Sequence, residues 1–220
     1  MRIYAVADIH GRLDKFELIR NNISKFKPDV LVAAGDITHF TKPDRSIAQM
    51  GNLPVSVLAV RGNTDRPVVE SLCEKYPTIS LLHLREIVVR NVRFTGISGT
   101  VLLPFRSKVR FREKLTVSRV APLVNEGTVF VAHPPPRGAL DKVLGKFHAG
   151  SGGLRELILK KQPALFICGH IHENPGQMYL GKTLVVNCNI RREGQQGAII
   201  DFTGEGKPQV TMLQDNTMPA

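Results

Sequence analysis

Apolar residues occur along this chain in short solid runs, and most runs end abruptly at a polar or very small residue. Residues 3–7, "IYAVA", have the length of a strand buried on both faces. Leu13, Phe16, Ile19, Ile23 and Phe26 then recur at steps of three and four, the stripe of a helix facing a core. "VLVAAG" at 30–35 and "VSVLAV" at 55–60 follow, so strands alternate with helical stretches and a largely parallel sheet is expected. After Pro77 the runs shorten to "ISLL" and "EIVVRNVRFTGIS", in which Asn91 is a turn residue that interrupts pairing. Crossover helices no longer fit there, which predicts a mixed sheet.

A second set of runs begins after residues 101–125, which hold no secure period: "TVFVAH" at 128–133, a helix near "GGLRELILKK", "ALFICGH" at 164–170, "TLVVN" at 183–187, "QGAIIDF" at 196–202 and "PQVTML" at 208–213. The two halves are alike in kind without an alignable repeat. They predict two packed sheets, each with helices outside, in one domain over residues 1–220. "PPP" and "GSGG" are too short for flexible linkers and read as shaped connections.

Composition narrows the class only a little. The opening "MRIYAVADIHG" reaches an acidic residue too soon for a signal peptide, and no apolar run has the length of a membrane span, so a soluble cytoplasmic chain without membrane association is expected. Cys73, Cys168 and Cys188 are odd in number and widely spaced, which fits reduced, small hydrophobic residues and neither a disulfide framework nor a cysteine-rich zinc site. The net charge of +11 favours anionic partners without choosing among phosphorylated metabolites, nucleic acid and acidic membrane surfaces.

The ends of the runs carry the chemistry. Asp8 and His10 follow the first, Asp36 the second, Asn63 the third, His133 the one at 128–132, and His170 and His172 the one at 164–168. Any one of these has an ordinary explanation as a cap, a turn former or a packed histidine. Together they do not, because four of the seven histidines stand directly after predicted strands, where open α/β sheets bind ligands. Oxygen and imidazole donors suit manganese first, with iron, zinc, nickel or cobalt as alternates, and argue against calcium. Two ions about 3.5–4 Å apart require a shared carboxylate. Asp36, central in the first sheet, is the candidate. An extended "DIH" puts Asp8 and His10 on one side. The same period unites His170 and His172 unless a turn at Gly169 splits them. Two divalent ions against Asp8 and Asp36, with a bridging hydroxide, give a centre of charge +1 suited to hydrolysing a phosphate ester.

The blocks "DIHG", "GD", "GNTD", "AH" and "GHIH", in this order from Asp8 to about Asn189, resemble the signature of the calcineurin-like metallophosphoesterases. "AHPPPRGALD", "GSGGLRELI" and "CGHIHENPG" are similar to its small phosphodiesterase-like branch. The resemblance implies a four-layer αββα sandwich of two mixed β-sheets flanked by helices, with a dinuclear centre. One ion would take Asp8, His10 and His172, the other Asn63, His133 and His170, with Asp36 shared. Members of the family commonly have a histidine after the asparagine that contacts phosphate and protonates the leaving group; here Thr64 stands in that place. A threonine hydroxyl donates a hydrogen bond but holds its proton too tightly to act as that acid. Relatives with cysteine at this position remain phosphodiesterases. Asp36, Asn63, His133, Thr64 and Asp65 are thus the residues expected to carry the reaction, Asp65 either orienting its neighbours or simply ending the turn.

Three features are left over. His39 and His148 are candidate pocket residues; His148 precedes a glycine-rich helix start that would offer N–H groups to phosphate. His83 has no motif around it. "RSKVRFREK", with Arg106, Lys108, Arg110 and Arg112, reads as an alternating basic strand face or a loop, either solvated, guiding phosphate or touching nucleic acid. The function expected is metal-dependent phosphodiester hydrolysis by attack of a metal-bridging hydroxide on a small, in one version nucleotide-derived, substrate. The alternatives are a phosphomonoesterase, a nuclease, or a non-catalytic metal-stabilised binding domain.

Overall fold

A computed structural model describes residues 1–39, 41–99, 108–191, 194–202 and 207–214, with the side chains of 108–112 outside that description. The elements run β1 (Arg2–Val6), α1 (Leu13–Phe26), β2 (Val30–Ala34), α2 (Pro43–Gly51), β3 (Val57–Val60), α3 (Val68–Cys73), β4 (Ile79–Leu81), β5 (Glu86–Val89), β6 (Val92–Ile97), α4 (Lys108–Val120), β7 (Thr128–Ala132), β8 (Lys142–Val143), β9 (Phe147–His148), α5 (Gly152–Lys161), β10 (Leu165–Cys168), β11 (Gly176–Leu180), β12 (Thr183–Asn187), β13 (Gln195–Asp201) and β14 (Gln209–Gln214).

Two six-stranded sheets form, ordered β14-β13-β1-β2-β3-β4 and β11-β12-β10-β7-β6-β5. In the first, β1 to β4 are parallel and β13 and β14 antiparallel; in the second, β12, β10, β7 and β6 are parallel and both edge strands antiparallel. Both sheets are therefore mixed. The central parallel strands β2, β3 and β10 are apolar throughout because both their faces are covered. Ile3, Ala5, Val30, Val32 and Val60 meet Phe94, Val129, Val131, Leu165 and Val186 between the sheets. On the outer face of the first sheet Tyr4, Val6, Leu31 and Ala33 pack against Phe16, Ile19, Ile47 and Met50 of α1 and α2. On the outer face of the second, Phe130, Phe166 and Val185 pack against Leu154, Leu157 and Ile158 of α5. Three apolar layers between four structural layers make the αββα sandwich.

The β5–β6 hairpin turns at Arg90 (φ 45°) and Asn91 (φ 66°), the paired left-handed conformation of a tight hairpin, so Asn91 creates the pairing instead of merely interrupting it. Two readings of the chain are corrected. The basic run does not continue as a strand: residues 108–114 begin α4, which packs inward through Val117 and Val120, while 106 and 107 lie outside the described residues. Charges at every second position mimicked a strand because the residues at 108–112 offered no apolar stripe to declare a helix. β11 went unread because it is an edge strand whose Gln177, Met178 and Tyr179 are exposed.

Candidate metal centre

β1, β2 and β3 of one sheet and β7 and β10 of the other end on the same side of the sandwich, and each end delivers a donor. Asp8 (φ 61°), His10 (φ 55°), Asp36 (φ 51°) and His170 (φ 69°) are all in the left-handed region, a costly conformation for residues with side chains and one that clusters at functional sites. The expectation of an extended "DIH" is corrected: two left-handed turns, not strand alternation, bring Asp8 and His10 together. Backbone bonds hold them there, from Asp8 N–H to the Gly35 carbonyl (3.1 Å) and from His10 N–H to the Asp36 carbonyl (2.8 Å).

Asp8 Oδ1 lies 3.0 Å from His172 Nε2 and 3.8 Å from His10 Nε2, and its Oδ2 accepts from His170 N–H at 2.9 Å. Asp36 Oδ2 is 3.4 Å from His133 Nε2 and 3.9 Å from His10 Nε2. Asn63 Oδ1 is 3.1 Å from His133 Nε2. The His10 and His172 rings pair at 5.8 Å, those of His133 and His170 at 5.0 Å. The turn at Gly169 thus splits "GHIH": His172 joins His10 and His170 joins His133. Ligand atoms of Asp8, His10 and His172 lie within 4.8 Å of one another, as do those of Asp8, Asp36 and His133. His170 stands outside both tight groups, against the His133 ring.

His133 is fully buried, and its Nδ1 is 2.8 Å from the Ala34 carbonyl. A carbonyl only accepts, so Nδ1 carries hydrogen and Nε2 is turned to the centre. Glycine makes room for these contacts. A Cβ on Gly35 (φ 92°) would fall 2.6 Å from His133 Nδ1, and one on Gly62 would fall 2.1 Å from Asp36 Oδ1.

The electrostatics suit a cation among these side chains. Burial pushes the Asp36 carboxyl up, but the His133 hydrogen bond and charge and the Thr64 N–H bring it down to about 2. Burial pushes the His133 imidazole down; the Asp36 hydrogen bond and the charges of Asp8 and Asp36 outweigh it and raise it to about 9. His170 is lowered to about 4, by burial first and the His133 charge second. A proton on His133 thus occupies the place of a cation. The donors are carboxylate oxygens, one amide oxygen and imidazoles, a set that fits divalent ions such as Mn2+, Fe2+ or Zn2+.

Thr64 and Asp65 converge on the same loops but are turned differently. Thr64 N–H donates to Asp36 Oδ1 at 2.8 Å, fixing that carboxylate, while its hydroxyl donates to the Thr38 carbonyl at 2.8 Å. Its one proton is therefore spent on the backbone. Asp65 is buried and accepts from Ile37 N–H (3.1 Å), Thr38 N–H (2.7 Å), Thr38 Oγ1 (2.8 Å) and Gly62 N–H (2.9 Å). It clamps the loops after β2 and β3 together rather than ending a turn.

Several supporting residues escaped the sequence reading. Lys15 donates to the Asp8 carbonyl from the first turns of α1. Asn187 and Asn189 donate to the Ile171 carbonyl (2.8 and 3.1 Å) and so hold the His170–His172 turn. Buried asparagines closing the apolar run "TLVVNCN" were the available signal. The N–H groups proposed for phosphate at the start of α5 are engaged instead: Ser151 Oγ caps Leu154 N–H at 2.9 Å, and Glu113 accepts from Gly153 N–H at 3.3 Å. An acidic residue there would repel an anion. His39 is exposed beside Thr41, and His83 accepts from Ser98 N–H at 2.9 Å.

Fold and site together define a class: a two-sheet αββα sandwich with candidate divalent-metal ligands at its strand ends. The calcineurin-like phosphoesterase family model matches residues 1–174, and the chain belongs to that family. It is 30% identical to an uncharacterised protein of Methanocaldococcus jannaschii over 199 residues, covering 85% of this chain and 87% of the relative. Its fold is shared with a dimetal phosphatase from Danio rerio (13% identity, TM-score 0.71, covering 97% and 96% of the two chains). An archaeal phosphodiesterase shares it more distantly (14% identity, TM-score 0.57, 97% and 100%). Membership implies a hydrolase that uses divalent metals. Among the described residues no helix is long and apolar enough to cross a membrane.

Proposed function

We propose that the protein is a dinuclear phosphodiesterase, with manganese the first-choice ion and iron, zinc, nickel or cobalt as alternates. The observation that carries this reading is the convergence of Asp8, His10, Asp36, Asn63, His133, His170 and His172 from five strand ends, with Asp36 Oδ2 within 3.9 Å of both His10 and His133. A divalent pair bound there supplies an acidified water and positive charge for the phosphoryl oxygens. Asp36 would be the ligand shared between the two ions. His10 and His172 flank one side, and Asn63, His133 and His170 the other. Thr64 N–H fixes the Asp36 carboxylate, and Asp65 fixes the loops that present Asp36 and Asn63. Two carboxylates and no third among these donors would leave a net charge of +2 on a divalent pair, matched by a hydroxide and a singly charged diester.

The Thr64 hydroxyl, spent on Thr38, favours a second reading in which the centre binds phosphate esters without turning them over. Metal-reconstituted protein assayed against bis-p-nitrophenyl phosphate, p-nitrophenyl phosphate, cyclic nucleotides and oligonucleotides separates the two. The diesterase reading expects the first to be cleaved fastest, and expects Asp36→Asn to lower kcat/KM far more than Thr64→Ala. No turnover of any substrate with two ions bound would establish the binding role.

A further inference from the structure

Thr64 leaves the leaving group without an acid, and four of the seven histidines are committed to the metal centre. Of the other three, His39 is exposed beside Thr41 and His83 receives a backbone N–H at Nδ1. His148 is built differently. Its Nδ1 lies 2.7 Å from Oδ1 of Asp141, a carboxylate only 1% exposed whose Oδ2 accepts from Gly150 N–H at 3.0 Å. A buried acceptor of this kind fixes both ring orientation and tautomer, leaving Nε2, which has no partner among the described residues, as the working end. His148 itself is half open to solvent, with 39% of its side chain exposed. The β8–β9 hairpin carrying it sits in the segment that leaves His133 and is fastened to the turn bearing His172. Leu144 N–H donates to Glu173 Oε2 at 3.0 Å, and Asn174 Nδ2 donates to the Lys142 carbonyl. Leu144 and Phe147, 73% and 66% exposed, give the same hairpin an apolar edge for an organic leaving group.

We propose that His148, positioned by Asp141, is the proton donor to the leaving oxygen, and that the β8–β9 hairpin is the leaving-group side of the site. The inference rests on the diesterase reading. Water attacks phosphorus opposite the ester oxygen; a P–O bond forms as the ester P–O bond breaks, and its electron pair stays on the departing oxygen. That oxygen takes the Nε2 proton of the His148 imidazolium and leaves as an alcohol. The attacking water's surplus proton passes to solvent, and the imidazole, still bonded through Nδ1 to Asp141, recovers its proton from solvent.

The test uses the metal-loaded protein and methyl aryl phosphodiesters whose leaving phenols run from p-nitrophenol to unsubstituted phenol. General acid catalysis is worth about 10²–10⁴-fold, so His148→Gln should lower kcat for the phenol ester about 100-fold and for the p-nitrophenol ester less than about 10-fold. Added imidazole should restore His148→Gly selectively on the phenol ester. Nitrogen-15 NMR of the metal-free protein should show the neutral His148 ring protonated at Nδ1, and should show this preference lost in Asp141→Asn. An equal loss across the ester series, or an Nε2-protonated neutral ring in the native protein, overturns the assignment while leaving the diesterase reading intact. Failure of the native protein to cleave any of these diesters overturns both.

Discussion

At the scale of single residues, the centre is a set of side chains whose charges are balanced against one another before any ion arrives. Asp36 at about 2 is anionic and His133 at about 9 is protonated at neutral pH in the metal-free chain. A raised histidine contributes stability that is complete below its unfolded value near 6.5 and is lost as pH rises through about 9; a depressed carboxyl contributes above 3.8 and is lost as pH falls through about 2. His133 presents Nε2 to the centre, so an incoming ion must displace that proton. Titrating metal-free protein with Mn2+ at pH 7 in buffers of differing ionisation enthalpy should reveal at least one proton released per chain, from His133, and up to two where the metal-bound water ionises as well. Heats independent of the buffer, or a proton count unchanged in His133→Ala, would remove His133 from the ligand set.

At the scale of elements, the site depends on loops that end strands, and Asp65 is the piece that joins two of them. Asp65→Ala would strand three buried N–H groups, of Ile37, Thr38 and Gly62, each costing about 1–3 kcal/mol. A loss of about 3 kcal/mol lowers Tm by roughly 6–12 °C in a chain of this size. A thermal melt within about 2 °C of the native protein would show that the clamp does not hold these loops. The residues that converge were legible as candidate donors because apolar runs stop where parallel strands end and a polar residue at that point is conspicuous. The conformations were not: nothing in "DIH" announces left-handed Asp8 and His10, which tertiary bonds to Gly35 and Asp36 impose. The amphipathic stripe made α1 readable, whereas α4 starts in a run of charges and β11 is an exposed edge.

At the scale of the whole molecule, two sheets share one apolar layer and one rim of candidate metal ligands. Asp8, Asp36 and Asn63 come from the first sheet and His133, His170 and His172 from the second, so the centre exists only when the sheets are packed face to face. The order of the blocks along the chain revealed this arrangement. The partner of His148 was hidden, because Asp141 lies seven residues away and becomes its acceptor only when the β8–β9 hairpin closes. The central claim is a pair of ions sharing Asp36, and its most direct test is anomalous diffraction from crystals grown with Mn2+. Two peaks are expected about 3.5–4 Å apart, both bonded to Asp36, one flanked by His10 and His172 and the other by Asn63, His133 and His170. A single peak, or two peaks with Asp36 bonded to only one, would contradict that claim.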